Sequence, residues 1–266
     1  MGRRCAHINI EKRLKDGYGR GRGAEYKPWL GVQSFSSRGY ASRQLGWKTG
    51  REHHLMSDLE LDFFLILDLS ARVVDVREQF PLLPVEETMA IADALGIRHP
   101  TDTRTKKPFV LTTDFLITVQ GDPRNAEEAR TIKPANELQS LRTIEKLQIE
   151  EHYWRARNVD WAIVTDEDIP KNVTHNLRWL HPYVRIPQTS TLPKNSLHKI
   201  DRMLREFLDR GLGLAAAAHA CDDKLALEPG TGLSFARHFM ASRRWRVNLN
   251  EKIDPALPLK ILSGAA

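Results

Sequence analysis

Between Phe109 and Thr165 the sequence runs strand, turn, strand, long helix, strand, and few architectures accept that order. Phe109 to Val119 is an apolar run, Gly121-Asp122-Pro123 breaks it, and Ala129 to Lys133 resumes in extended style. Asn136 to Arg157 then carries a helical pattern before the short apolar stretch Trp161 to Thr165. A tight turn joins antiparallel strands, whereas a helix crossing between strands joins parallel ones. The expected fold class is therefore α/β, a mixed sheet flanked by helices.

Upstream, Val73 to Phe80 alternates like a strand and stops at Pro81 and Pro84, with a helix expected from Thr88 to Leu95 before Gly96. Leu55 to Leu69 reads as an amphipathic helix whose apolar face holds Met56, Leu59, Phe63, Phe64, Ile66 and Leu67, and Glu60 falls inside that face. Two explanations of Glu60 stand side by side. Ser57 with Glu60 forms a capping-box pattern, and Met56 with Leu61 a hydrophobic staple. Alternatively, the carboxylate is kept there for chemistry.

After Asp166 the pattern changes, with Pro170, Pro182, Pro187 and Pro193 cutting the chain into short pieces. We place a domain boundary there, giving residues 1–166 and 167–266. Helices are expected at Leu197 to Asp209, Leu214 to Leu227 and Leu233 to Ser242, followed by extended pieces Trp245 to Leu249 and Leu257 to Leu262. Three small helices and a hairpin-like end point to a smaller winged-helix-like domain. Arg237, Arg243, Arg244 and Arg246 would face DNA in such a module, and protein docking is the competing use.

Charge is segregated along the chain. Residues 1–51 carry 12 Lys and Arg against 3 Asp and Glu, residues 52–166 carry 13 against 21, and residues 167–266 carry 15 against 10. Basic ends suit a phosphate backbone and a carboxylate-rich middle suits cations, although ordinary solvated surface produces similar balances. The Gly17-Tyr18-Gly19-Arg20-Gly21-Arg22-Gly23 run is either a phosphate-gripping arm or a disordered terminus. Cys5 and Cys221 are too isolated for a disulfide framework or zinc ribbon, which points to a reducing cytoplasmic setting. No apolar run approaches the roughly 18 residues of a membrane helix.

Glu60, Asp114 and Lys133 are acid, acid, lysine in chain order, with Asp114 closing one apolar strand and Lys133 following another. Two carboxylates can hold Mg²⁺ against a phosphate while an ammonium offsets the charge that builds as phosphorus is attacked. Metal-dependent phosphodiester cleavage is the chemistry this set points to.

Longer stretches carry a resemblance. Lys48-Thr49-Gly50-Arg51-Glu52-His53-His54-Leu55-Met56-Ser57-Asp58-Leu59-Glu60-Leu61 comes first, then Asp75-Val76-Arg77-Glu78-Gln79-Phe80-Pro81-Leu82-Leu83-Pro84. Thr113-Asp114-Phe115-Leu116, Ile132-Lys133-Pro134-Ala135 and Thr143-Ile144-Glu145-Lys146-Leu147 follow, with Glu150, Tyr153 and Trp154 after them. In that order they resemble the TnsA endonucleases, cleavage subunits of heteromeric TnsABC-type transposases.

The resemblance implies a restriction-endonuclease-like catalytic domain with a basic amino-terminal arm, then a winged-helix domain. It implies Mg²⁺-dependent nicking at the 5′ ends of a transposon, with two ions and with Mn²⁺ as a substitute. The implied partners are transposon-end DNA, a TnsB-type strand-transfer transposase and a TnsC-type AAA+ ATPase regulator, in the bacterial cytoplasm and with the nucleoid when assembled.

Carried over by position, Glu60 and Asp114 match the metal carboxylates, Lys133 the active-site lysine and Glu150 an auxiliary acid. Where the family typically has Gln, this chain has Thr131, and Thr131 with the Ile132 carbonyl is expected to complete the metal site. Asp114 would bridge the two ions, about 4 Å apart. Arg51, His53, His54 and Arg77 are candidates for DNA contact; the histidines are adjacent in a strand, so only one faces a given site. The histidines read as phosphate-contacting or structural, and a core-edge salt bridge is the simpler account of Arg77. A stand-alone restriction-like or junction-resolving endonuclease and a non-catalytic transpososome adaptor are the competing functions.

Overall fold

The computed structural model describes residues 9–34, 40–102, 105–121, 124–185 and 196–262, so Cys5, Asp122, Pro123, Pro187 and Pro193 lie outside the described residues. The chain divides into two compact units, Met1–Ile169 and Pro170–Ala266. No described helix is long and apolar enough to cross a membrane.

The first unit begins with a short helix α1 (Ile10–Lys15) and a hairpin of β1 (Ser42–Leu45) and β2 (Glu52–Leu55). Then follow α2 (Asp58–Leu69), β3 (Val73–Pro81), α3 (Val85–Ala94), β4 (Thr112–Val119), β5 (Ala126–Ile132), α4 (Leu141–Arg155) and β6 (Asp160–Val164). The main sheet has the order β3-β4-β5-β6. Its first two pairings are antiparallel and β5 to β6 is parallel, with α4 as the crossover. The expected mixed sheet flanked by helices is thus observed.

The helix expected from Asn136 starts later, at Leu141, where the Ser140 hydroxyl accepts the Thr143 N–H. Residues Ala135–Gln139 form a 3-10 turn instead. Strand β4 begins at Thr112 rather than Phe109 and is buried along nearly its whole length, which is why it reads as a continuous apolar run. Phe63 of α2 meets Phe115 at 5.7 Å between ring centroids, and Tyr153 and Trp154 of α4 pack with Leu82, Leu116 and Ala129.

The glycine- and arginine-rich arm is docked on the sheet. Gly23 N–H points at the Asp75 carboxylate at 3.2 Å, Arg22 donates to Glu127 at 2.7 Å, and Trp29 N–H donates to the Gln79 carbonyl at 3.1 Å. Tyr26 and Trp29 are buried. Two glycines make the path possible: a Cβ on Gly19 would lie 2.4 Å from Pro81 Cγ, and one on Gly21 2.8 Å from the Glu25 carbonyl oxygen. The arm therefore covers the exposed edge of β3, a strand edge that would otherwise present unpaired backbone groups.

A buried ion cluster fastens the hairpin to the same strand. Arg51 grips Glu78 with two hydrogen bonds of 2.8 and 2.6 Å and also donates to the Val76 and Gly23 carbonyls. His53 Nδ1 lies 2.7 Å from the Glu78 carboxylate and its Nε2 lies 2.7 Å from the Thr49 hydroxyl. Burial pushes the Glu78 carboxyl up, yet the Arg51 and His53 bonds overcome it and hold the group down at about 2.

The second unit contains α5 (Lys171–Leu180), α6 (Ser196–Asp209), α7 (Leu214–Leu225) and α8 (Thr231–Ala241) around Ile200, Leu204, Leu214, Phe235, Phe239 and Trp245. Helix α5 is not among the helices expected from the sequence: Pro170, locally a breaker, is its N-cap. Among the described residues this unit has no strand, so the hairpin-like end is absent as a ladder. Pro258 lacks the N–H a strand needs, and the Pro255 and Leu257 carbonyls instead accept the first N–H groups of α7. A single Leu262 N–H to Arg246 carbonyl bond of 2.7 Å joins the two extended pieces. Arg244 is paired with Asp201 at 2.6 Å, and Arg237 donates to the Trp179 carbonyl and lies 3.7 Å over the Tyr183 ring.

Removing one member of a buried, fully hydrogen-bonded ion cluster strands the other. Arg51→Met is expected to lower the unfolding free energy by about 3–5 kcal/mol in urea titrations. Because the Glu78 carboxyl is held below its ordinary value, its stabilisation is present above about pH 4.5 and is lost as pH falls through about 2. A shift under about 1 kcal/mol would show that the cluster does not anchor the hairpin.

Candidate active site

Asp114 sits where two strand ladders fail. On the β5 side the pairing ends at Phe115↔Arg130, and on the β3 side it passes from Glu78↔Phe115 to Phe80↔Thr113 without a Gln79/Asp114 pair. The Asp114 carboxylate fills the gap: Oδ2 accepts the Ile132 N–H at 2.8 Å and the Lys133 ammonium at 3.1 Å. The same ammonium donates to the Ile132 carbonyl at 2.8 Å. Burial lowers the Lys133 pKa, but the Asp114 charge outweighs it and the net shift is upward, so the lysine remains a cation.

Glu60 arrives from the first turn of α2. The Ser57 hydroxyl accepts the Glu60 N–H at 3.1 Å, while the Glu60 carboxylate accepts the Met56 N–H at 2.9 Å and the Ser57 hydroxyl at 3.3 Å. The helix start and the buried carboxylate are therefore the same device: the cap orients Glu60 toward the sheet. Burial, and then the Asp114 charge, push the Glu60 carboxyl well above the ordinary range. Gln79 links the two acids, with Nε2 3.4 Å from Glu60 Oε2 and 3.5 Å from Asp114 Oδ1.

Glu150 lies on α4 behind Asp114, fully enclosed. Its Oε1 accepts the Thr113 hydroxyl at 2.6 Å, the Trp161 indole N–H at 3.1 Å and the Thr131 hydroxyl. Burial raises its pKa to about 7 against those hydrogen bonds, and the Asp114 charge adds to the rise. Thr131 and the Ile132 carbonyl, both expected as metal donors, are thus engaged: one with Glu150, the other with Lys133.

Three of the four DNA-contact candidates have charged internal partners, which for Arg77 and His53 matches the alternative structural account. Arg51 and His53 belong to the buried Glu78 cluster. Arg77 is buried and donates to Glu127 at 2.5 Å. His54 Nδ1 accepts the Val32 N–H at 3.3 Å, and burial lowers its pKa. For Arg51, His53 and Arg77 a carboxylate takes the nitrogens that a phosphate would need, whereas His54, with Nδ1 accepting, keeps the Nε2 side of its half-buried ring for donation. The position of Gln79 between the acids follows from a left-handed backbone, φ +49°, which no periodicity signals.

The donors here are all oxygen, which suits a hard dication. Two carboxylates pressed together in a low-dielectric pocket, one of them with its pKa driven up, form a site whose repulsion a cation relieves. The residues fit Mg²⁺ in that respect, and Glu60 and Asp114 are the pair that could hold it. Among the described residues no group of three or more His, Cys, Asp or Glu converges, so an ion held here keeps several waters.

Residues 70–166 match the family model described as TnsA-like endonuclease N terminal, and residues 168–249 match TnsA endonuclease C terminal. The chain belongs to the TnsA endonuclease family. Transposon Tn7 transposition protein TnsA of Escherichia coli is 38% identical to it over 244 residues, covering 92% of this chain and 87% of that protein. Asp114, Lys133 and Glu150 fall inside the part matched by the TnsA amino-terminal model, and Glu60 lies ahead of it.

Glu60→Gln removes one of two facing carboxylates. A raised folded-state pKa means stability lost as pH climbs above the ordinary carboxylate range. In chelator, Glu60→Gln is expected to melt a few degrees above wild type at pH 8, a difference that shrinks toward pH 5. Equal melting at both values would mean that the two acids do not oppose one another.

Proposed function

We propose that this TnsA-family chain is the Mg²⁺-dependent endonuclease subunit of a heteromeric transposase, nicking DNA at the 5′ ends of a transposon. The observation that carries the reading is the Lys133–Asp114 contact of 3.1 Å beside the buried Glu60, inside a protein that matches an endonuclease family. A bound dication supplies charge neutralisation at the phosphate and a more acidic water. Asp114 and Glu60 would hold it, and Mn²⁺ would substitute because it accepts the same oxygen donors.

Lys133, kept cationic by Asp114, donates toward the non-bridging phosphate oxygens, where negative charge grows as water attacks. Asp114 also fixes the Ile132 amide, so the strand that carries Lys133 cannot drift from the carboxylate. Glu150, tied through Thr131 and Thr113, acts from behind as the auxiliary acid that steadies the β4 and β5 ends. A second ion would require Thr131 to release Glu150 and Lys133 to release the Ile132 carbonyl.

The name of the Tn7 relative speaks of transposition, and that supports a working context of transposon-end DNA with a TnsB-type transposase and a TnsC-type ATPase. The helices α6 to α8 and the Arg246–Leu262 bond support a winged-helix-like reading of the second unit, as the docking or DNA-binding module. A stand-alone nuclease would cut transposon-end DNA without a partner, so assay of the chain alone separates the two readings.

Asp114→Ala is expected to abolish 5′ nicking of end DNA in the reconstituted complex while the partner's strand joining persists. Lys133→Ala is expected to slow nicking by about 10²–10³-fold, in line with loss of one charge-stabilising donor. Wild-type nicking by Asp114→Ala would overturn the assignment.

A further inference from the structure

We propose that the Gln79 side chain is an additional arm of the cation site, its amide N–H standing between Glu60 and Asp114 until a cation arrives, whereupon the amide turns and presents its oxygen. This rests on the reading of Glu60 and Asp114 as cation ligands and assigns a residue which that reading does not use.

Gln79 is 3% exposed and donates toward both acids, yet at 3.4 and 3.5 Å, well beyond the usual 2.9–3.0 Å of an N–H···O bond. The amide N–H thus marks the space between two oxygens that repel one another, and fills it weakly. A dication in that space meets the positive end of the amide dipole, which is unfavourable. Rotation about the terminal torsion, which is broad and two-fold, exchanges that end for the carbonyl oxygen. Amide oxygen is a suitable donor to a hard cation.

The surroundings accept either orientation. Gln79 Oε1 now accepts the Thr112 hydroxyl at 3.3 Å. A hydroxyl both donates and accepts, so after rotation Thr112 takes one of the two amide N–H groups in place of donating to the oxygen. The main chain at Gln79 does not need to move. Its left-handed φ of +49° is held from one side by the Trp29 N–H on the Gln79 carbonyl and from the other by the Arg51 and His53 bonds to Glu78. A left-handed non-glycine residue inside a strand is uncommon and persists where its surroundings over-determine it. Here it aims one amide at the two acids, out of the ladder.

The test uses the full chain with Ca²⁺ as probe. Calorimetry compares wild type, Asp114→Ala, Gln79→Met and Gln79→Asn; the last shortens the reach while tolerating left-handed backbone. Binding in Gln79→Met and Gln79→Asn is expected to weaken by about tenfold, as for loss of groups that tune a metal site. In the unmodified chain, the side-chain amide resonances of ¹⁵N-labelled Gln79 are expected to shift on Ca²⁺ saturation, a change that a merely structural glutamine would not show. Ca²⁺ uptake that is lost in Asp114→Ala but unchanged in both Gln79 variants, with unmoved amide resonances, sinks this inference alone. No uptake by wild type sinks it together with the cation site.

Discussion

Two carboxylates that cannot comfortably share one buried pocket are the centre of this structure. Asp114 is placed by the failure of its own strand ladders, and Glu60 by the capping geometry of a helix start. Neither acid is neutralised by a direct partner of matching strength on both sides. Asp114 has Lys133 and a backbone amide, whereas Glu60 has a backbone amide, a hydroxyl and the edge of Gln79. Without a cation the Glu60 carboxyl is pushed toward its protonated form, and a cation between the two acids would relieve the same repulsion.

Much of the remaining architecture fixes that pocket from behind. The hairpin, the glycine-rich arm and β3 meet around Glu78, where an arginine and a histidine saturate one fully buried carboxylate. Gln79 is the next residue along, so the cluster that anchors the hairpin also fixes the backbone from which Gln79 reaches the acids. On the far side, Glu150 gathers hydroxyls from β4 and β5 and an indole from β6, tying three strands to α4. A rigid scaffold of this kind holds catalytic groups within the narrow tolerances that chemistry requires.

Positive charge at the amino end has a different use from the one its sequence invites. Arg22, Arg51 and Arg77 each pair with a glutamate of the sheet, which removes them from the stock available to a phosphate backbone. In the second unit Arg237 and Arg244 are likewise committed internally. Counting basic residues overstates a nucleic-acid surface when acidic partners from distant sequence sit opposite them.

Local pattern was sufficient for the main sheet of the first unit, though not for α1 or β1. Alternation marked β3, an apolar run marked β4, and the strand-helix-strand order from Ala129 required a parallel crossover beside antiparallel pairs. It also singled out Glu60, Asp114 and Lys133, which the fold brings together, because a carboxylate in an apolar face and a lysine after an apolar strand are conspicuous in one dimension. It was insufficient for the strand pairing of the second unit's end, where Pro258 removes a ladder donor, and for α5, whose N-cap is a proline that reads locally as a breaker. What each charged group faces was decided by tertiary structure alone. The partners of the Glu78, Gln79 and Glu150 side chains lie 24 to 27, 19 to 35 and 11 to 37 residues away in sequence, and only packing brings them within hydrogen-bond range. Sequence by itself determined which chemistry-bearing residues exist and on which elements they ride. The folded sheet decided which of them face one another in the pocket and which became struts, because a buried charge takes its role from the partner beside it.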